Sequence, residues 1–119
     1  MKFLFRKPIF VTNSRVPRWL SIFIEIGAIT IFPFVFVRGT LLQRTRTHET
    51  IHFKQYLETW IVGFLPIYLF DYVLGMLKYK NDRKKAYRQI RFEQEAYAHE
   101  EDSCYPEHRT KRAWLKYKV

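Results

Sequence analysis

Thr40–Thr59 reads TLLQRTRTHETIHFKQYLET, a run with neither Gly nor Pro. Such a run predicts a helix starting near Gly39 or Thr40. Within it stands His48-Glu49-Thr50-Ile51-His52. Residues four apart stack on one helix face, so His48 and His52 aim two imidazoles at a common point. Zinc accepts such nitrogens at about 2.0–2.1 Å. Glu49, next to the first histidine, reaches a water at the metal without ligating it, as a zinc-dependent hydrolase requires. The alternative is a pair of surface histidines on an amphipathic helix.

A catalytic zinc usually has three protein ligands and one open position. The third ligand must come from elsewhere, and Arg83 to about Glu101 reads as a second strong helix. There Ala86, Ile90, Glu93 and Tyr97 fall on one face. A lone carboxylate on an apolar face is costly unless it is paired or binds a metal. Glu93 is therefore the expected third ligand, with Glu95 as the alternative. The competing reading of Glu93 is an exposed charge paired with Arg88 or Arg91. Ala96 is small enough to let the two helices approach, and Tyr97 is a candidate hydrogen-bonding partner for a ligand histidine. Tyr56, Tyr97 and His99 are candidates to stabilise an oxyanion.

With these residues named, His48-Glu49-x-x-His52 followed by Glu93-x-x-Ala96 resembles the gluzincin branch of zinc metallopeptidases. The nearest class is the membrane-associated relatives of the CAAX prenyl protease. The chain also resembles short HExxH proteins of bacteria and their phages. The resemblance implies a downstream Glu ligand, often in a Glu-x-x-Ala-Asp pattern; this sequence carries Tyr97 in place of that Asp. It also implies an edge strand before the motif helix that aligns an extended substrate, and Ala28–Val37 occupies that place in order.

Outward from the motif, Trp19–Val37 is apolar and long enough for a membrane span. Glu25, Pro33 and the alternation of Ile22, Ile24 and Ile26 with Ser21, Phe23 and Glu25 favour short strands instead, with Pro33 at an edge or bend. Trp60–Leu77 is apolar again, broken by Gly63, Pro66, Asp71 and Gly75. It reads as a kinked buried helix or one lying in a membrane interface. Pro66 marks a break or a first-turn position. Asn81 and Asp82 are cap candidates for the following helix.

The 119 residues fit one domain. Residues 1–18 read as a basic N-terminal arm lacking the features of a cleavable signal. Residues 19–103 read as a zincin-like core and 104–119 as a basic C-terminal tail. The expected fold class is α+β and mostly helical: short N-terminal edge strands, then about three helices, with the motif helix packed on the Glu93 helix. The single cysteine, Cys104, excludes an intrachain disulfide and a zinc site built on thiolates.

A formal charge of +10 suits a polyanionic partner. Nucleic acid is disfavoured, since no helix-turn-helix, RRM or zinc-finger pattern appears. An anionic membrane surface fits better, because Lys78, Lys80, Arg83, Lys84 and Lys85 directly follow the apolar segment. The expected protein is a cytoplasmic or membrane-peripheral zinc metallopeptidase acting on a peptide or protein substrate. The alternative is a non-catalytic zinc-stabilised module at a membrane or in a larger assembly.

Overall fold

A computed structural model describes residues 7–15 and 28–119 of the chain. The alternating isoleucines of the first apolar run lie outside the described residues. The fold is α+β. Strands β1 (Ile9–Val11), β2 (Ala28–Ile31) and β3 (Phe34–Val37) precede helices α1 (Gln43–Glu58), α2 (Phe64–Lys78), α3 (Arg83–Gln89), α4 (Arg91–His99) and α5 (Tyr105–His108). A 3-10 turn at Ala113–Lys116 follows.

β2 and β3 form an antiparallel hairpin in which Thr30 faces Val35 and Ala28 faces Val37. Phe32 and Pro33 make its turn, so the proline removes no donor from the ladder. β1 lies parallel to β3, with Phe10 opposite Val35, so among the described residues β3 is central and β2 is an edge. The expected basic arm thus contributes a strand over Ile9–Val11.

Val35 and Val37 point inward from β3 while Phe34 is exposed, the period-two pattern of a half-buried strand. The hairpin packs on α1 through Phe32, whose ring lies 4.9 Å from that of Phe53. From Tyr56 the core continues as a ladder of rings: Tyr56 on Phe64 at 3.9 Å, Phe64 on Phe92 at 4.4 Å, and Phe92 on Trp114 at 4.7 Å. Offset and edge-on ring pairs of this kind add to the burial of their area. The ladder ties α1, α2, α4 and the C-terminal turn into one core. Ile51 of α1 and Ala96 of α4 are fully buried in a second cluster, where the small alanine lies between the two helices.

Two differences from the sequence reading matter for the site. The helix expected over Arg83–Glu101 is broken at Ile90, whose backbone is extended (φ −56°, ψ 130°). Asp71 of α2 explains the break. Its carboxylate accepts from the Arg91 backbone N–H at 3.1 Å and from the Arg91 guanidinium at 2.9 and 3.0 Å. An anion from outside thus caps the first turn of α4. Asp82 caps α3 from within the chain, accepting from the Lys85 backbone N–H at 3.1 Å. The second difference is that α1 starts at Gln43, a few residues later than expected. Gly39, with φ +84°, turns the chain out of β3 ahead of it.

Gly75 is where α2 meets α3. A side-chain carbon there would lie 3.0 Å from the Ala86 Cα, so only a glycine allows this approach without the backbone giving way. Asp71 is fully buried one turn earlier. Removing one partner of a buried pair strands the other, at a cost of about 3 kcal/mol. Asp71→Ala is therefore expected to lower the unfolding free energy by about that much. Urea denaturation measures it, and an unchanged midpoint would contradict the capping role.

Candidate metal centre

Helix α1 buries an unusual set of side chains along one face: His48, Glu49, His52 and Gln55, all at most 8% exposed. Each must find a polar partner or a cation there. His48, Glu49 and His52 offer ligand atoms that all lie within 4.8 Å of one another, a buried cluster able to hold a metal ion. Glu93 of α4 comes closer still. Its Oε1 lies 3.0 Å from His48 Nε2 and 3.1 Å from His52 Nε2. The break at Ile90 puts Glu93 in the first turn of α4, where the positive end of the helix favours a carboxylate.

The other ring nitrogens fix the protonation pattern. His48 Nδ1 lies 2.8 Å from Glu100 Oε1. A carboxylate can only accept, so Nδ1 carries the hydrogen. His52 Nδ1 lies 2.7 Å from Gln55 Oε1. The Gln55 amide cannot be flipped, because its NH₂ donates to the Phe92 carbonyl at 3.1 Å and to Glu95 Oε1 at 2.9 Å. Its oxygen therefore faces His52, and Nδ1 again donates. Both imidazoles then turn Nε2 toward the same carboxylate oxygen. Two nitrogen lone pairs and an anionic oxygen about 3 Å apart repel unless a positive charge lies between them, either a proton or a metal ion.

The titration of the metal-free site follows. Burial alone would lower the His48 pKa, but the Glu100 and Glu93 carboxylates outweigh it and push it from an ordinary 6.5 up to about 10. His52 moves the same way, burial again being outweighed, here mainly by Glu93. Burial would raise the Glu93 carboxyl, yet the two imidazoles hold it well below the usual carboxylate range. The remaining Glu93 oxygen, Oε2, accepts from the Tyr68 hydroxyl at 2.6 Å. Burial and Glu93 together raise the Tyr68 pKa, so that hydroxyl stays a donor.

Glu49 sits apart from this knot. Its Oε2 accepts from Thr30 Oγ1 of β2 at 3.0 Å, and among the described residues Oε1 has no hydrogen-bond partner. A cleft of about 610 Å³ opens on His48 and Glu49 between the end of β3 and α4, with Arg38, Arg44 and Arg88 on its walls. A smaller cavity of about 130 Å³ reaches Glu49, His52 and Glu93 from the side of Leu65, Tyr68 and Tyr87. Glu49 therefore borders both openings.

The other expected residues lie as follows. Tyr97 touches His48 with its ring, at 4.6 Å between centroids, and its hydroxyl donates to that of Tyr87 at 3.3 Å rather than to an imidazole. Glu95, the alternative ligand, is held by Arg109 at 2.6 and 2.8 Å and by the Tyr105 hydroxyl at 2.8 Å. Arg109 also bridges to Glu58 at 2.9 Å, so the side chain of this base of the expected tail is only 4% exposed. Tyr56 donates to the Thr30 carbonyl at 2.9 Å, and His99 stacks on Tyr105, away from the cluster.

Sequence reasoning missed Gln55, Glu100 and Tyr68. Two of them carried a signal: Gln55 follows His52, which it supports, by three, and Glu100 follows Glu93 by seven, on the same face of the chain that meets His48. Tyr68 comes from another helix and carried none.

No protein family, curated protein or solved structure matches the chain. The cluster is compatible with an HExxH-type site on its geometry alone.

The pKa directions predict how the metal-free protein responds to pH. A histidine with a raised folded pKa adds stability that is full below its unfolded value and is lost as pH rises through the folded one. For His48 that window runs from 6.5 to about 10. A chelator-treated sample should therefore unfold at a lower temperature at pH 9 than at pH 6. A bound divalent ion needs deprotonated imidazoles and should reverse the trend. Equal melting temperatures at the two pH values in chelator would show that no positive charge is stored there.

Proposed function

We propose that the chain is a zinc-dependent metallopeptidase of the gluzincin type, with His48, His52 and Glu93 as ligands and Glu49 as general base. The observation that carries this is the convergence of two Nε2 atoms and one carboxylate oxygen, with both Nδ1–H groups already committed to Glu100 and Gln55. A tetrahedral zinc with bonds of 2.0–2.1 Å spaces its ligand atoms by roughly 3.3 Å. The 3.0 and 3.1 Å separations fit such an ion with small relaxation. Two neutral imidazoles and a carboxylate are a donor set that suits zinc.

Zinc held by His48, His52 and Glu93 would supply Lewis acidity to a substrate carbonyl and to a water. The chain's own residues do the rest. Glu49 would take the proton of the attacking water on the oxygen that Thr30 leaves open and pass it to the leaving amine. Thr30 holds the other Glu49 oxygen and so sets the orientation of the carboxylate. Glu100 and Gln55 keep the imidazoles in register and make them better ligands. Among the described residues β2 is a sheet edge that reaches Glu49 through Thr30, which suits an extended peptide added alongside it. The cleft on the His48 side gives the substrate a place to lie.

Two variants test this reading. Glu93→Ala is expected to lose the metal, read as zinc per chain after desalting. Glu49→Gln should keep wild-type zinc and lose hydrolysis of a quenched-fluorescent peptide library by about 10²- to 10⁴-fold. If Glu93→Ala retains zinc at the wild-type level, the ligand set is wrong. If wild-type protein holds zinc and cleaves nothing in the library, the site is a structural zinc module.

A further inference from the structure

Helix α2 is apolar around its whole circumference, yet among the described residues only half of it is covered. Phe64, Asp71 and Gly75 are buried, and Ile67, Tyr68 and Tyr72 pack against the core. At 3.6 residues per turn the opposite half carries Leu65, Leu69, Phe70, Val73, Leu74 and Leu77. All six are 42–77% exposed. A helix that is hydrophobic all round normally lies within a protein core or in lipid. The surface extends past the helix start, where Trp60 is 67% and Val62 81% exposed. Trp60 and Ile61 both adopt left-handed backbone, φ 58° and 66°, an outlier for a β-branched residue. That turn packs Ile61 on the core and leaves its two neighbours outside.

We infer that this face seats the protein on an anionic lipid bilayer, with α2 lying in the plane of the interface. Charge complementarity selects lipid as the occupant. The apolar half ends directly in exposed Lys78, Lys80, Arg83, Lys84 and Lys85, and the chain as a whole carries +10. A second copy packed in parallel would bring these bases against each other and an antiparallel copy would leave them without an opposite charge, whereas an anionic leaflet attracts them. The 15-residue helix is about 22 Å long, shorter than the roughly 30 Å hydrocarbon layer, so it suits lying along the surface rather than crossing. No helix among the described residues is long and apolar enough to cross. Trp60 at one end and the lysines at the other are the residue types that settle at the headgroup level. Leu65 belongs both to this face and to the small cavity that reaches His52 and Glu93, so docking brings that opening next to the membrane.

Flotation of the purified full chain with vesicles tests the inference, using phosphatidylcholine alone and phosphatidylcholine with one-quarter phosphatidylserine. The wild type should float with the anionic vesicles and at least about tenfold more weakly with the neutral ones. The triple variant Leu69→Glu, Phe70→Glu, Leu77→Glu replaces exposed side chains only and should fold, as its circular dichroism would report. It should lose flotation on both vesicles. Lys80→Glu with Lys84→Glu should cut binding to the anionic vesicles by at least about tenfold and leave neutral vesicles nearly unaffected. Absence of flotation for the wild type overturns the proposal, as does undiminished flotation of the folded triple variant. A wild-type dimer in sedimentation that the triple variant makes monomeric, without vesicle binding, assigns the face to self-association and equally overturns it.

Discussion

Glu93 carries a carboxylate into an interior where, among the described residues, no lysine or arginine pairs with it. An anion so placed is tolerated only if positive charge is brought to it. Here it comes from two imidazoles on a different helix, and their outer nitrogens are anchored in turn to Glu100 and Gln55. The approach of α1 to α4 is thus set by an electrostatic requirement as well as by the packing of Ile51 on Ala96. In the metal-free protein each imidazole supplies that charge as a proton on Nε2, and a metal ion bound to the cluster would take the place of those protons.

Gln55 is the joint between two buried polar systems. Its oxygen serves His52, and its amide hydrogens serve Glu95 and the Phe92 carbonyl. Glu95 then hands on to Arg109, and Arg109 returns to Glu58 of α1. Every member has its partners, which is the condition for a buried network to order a core rather than loosen it. Its effect reaches the C-terminal segment: Arg109 locks residues that composition alone assigns to a solvated basic tail. The adjoining Trp114 closes the ring ladder on Phe92.

What could be read from the sequence followed from local periodicity. The four-residue spacing of His48 and His52, the inward face of Glu93, the small Ala96, the hairpin bend at Pro33 and the cap at Asp82 are all short-range patterns. Each depends on a helix or strand repeat that the chain states for itself. What could not be read depends on meetings between distant segments. Asp71 breaks the second helix at Ile90 from α2, twenty residues earlier, and no local breaker marks the spot. Tyr68 reaches Glu93 from α2, and Arg109 is buried because two glutamates on separate helices meet it. The pairing of β1 beside β3 likewise depends on residues far apart in the chain.

α2 links the site to the surface. Its inner half gives Tyr68 to Glu93 and Asp71 to the first turn of α4, so it sets both the hydrogen bonding and the position of the buried carboxylate. Its outer half is also apolar and is exposed among the described residues. The apolar outer half beside the strongly basic Lys78–Lys85 stretch is the combination that the proposed seat on lipid would use. Because the same rigid helix bears both halves, whatever binds the outer face also holds the Glu93 side of the cluster in a fixed relation to it.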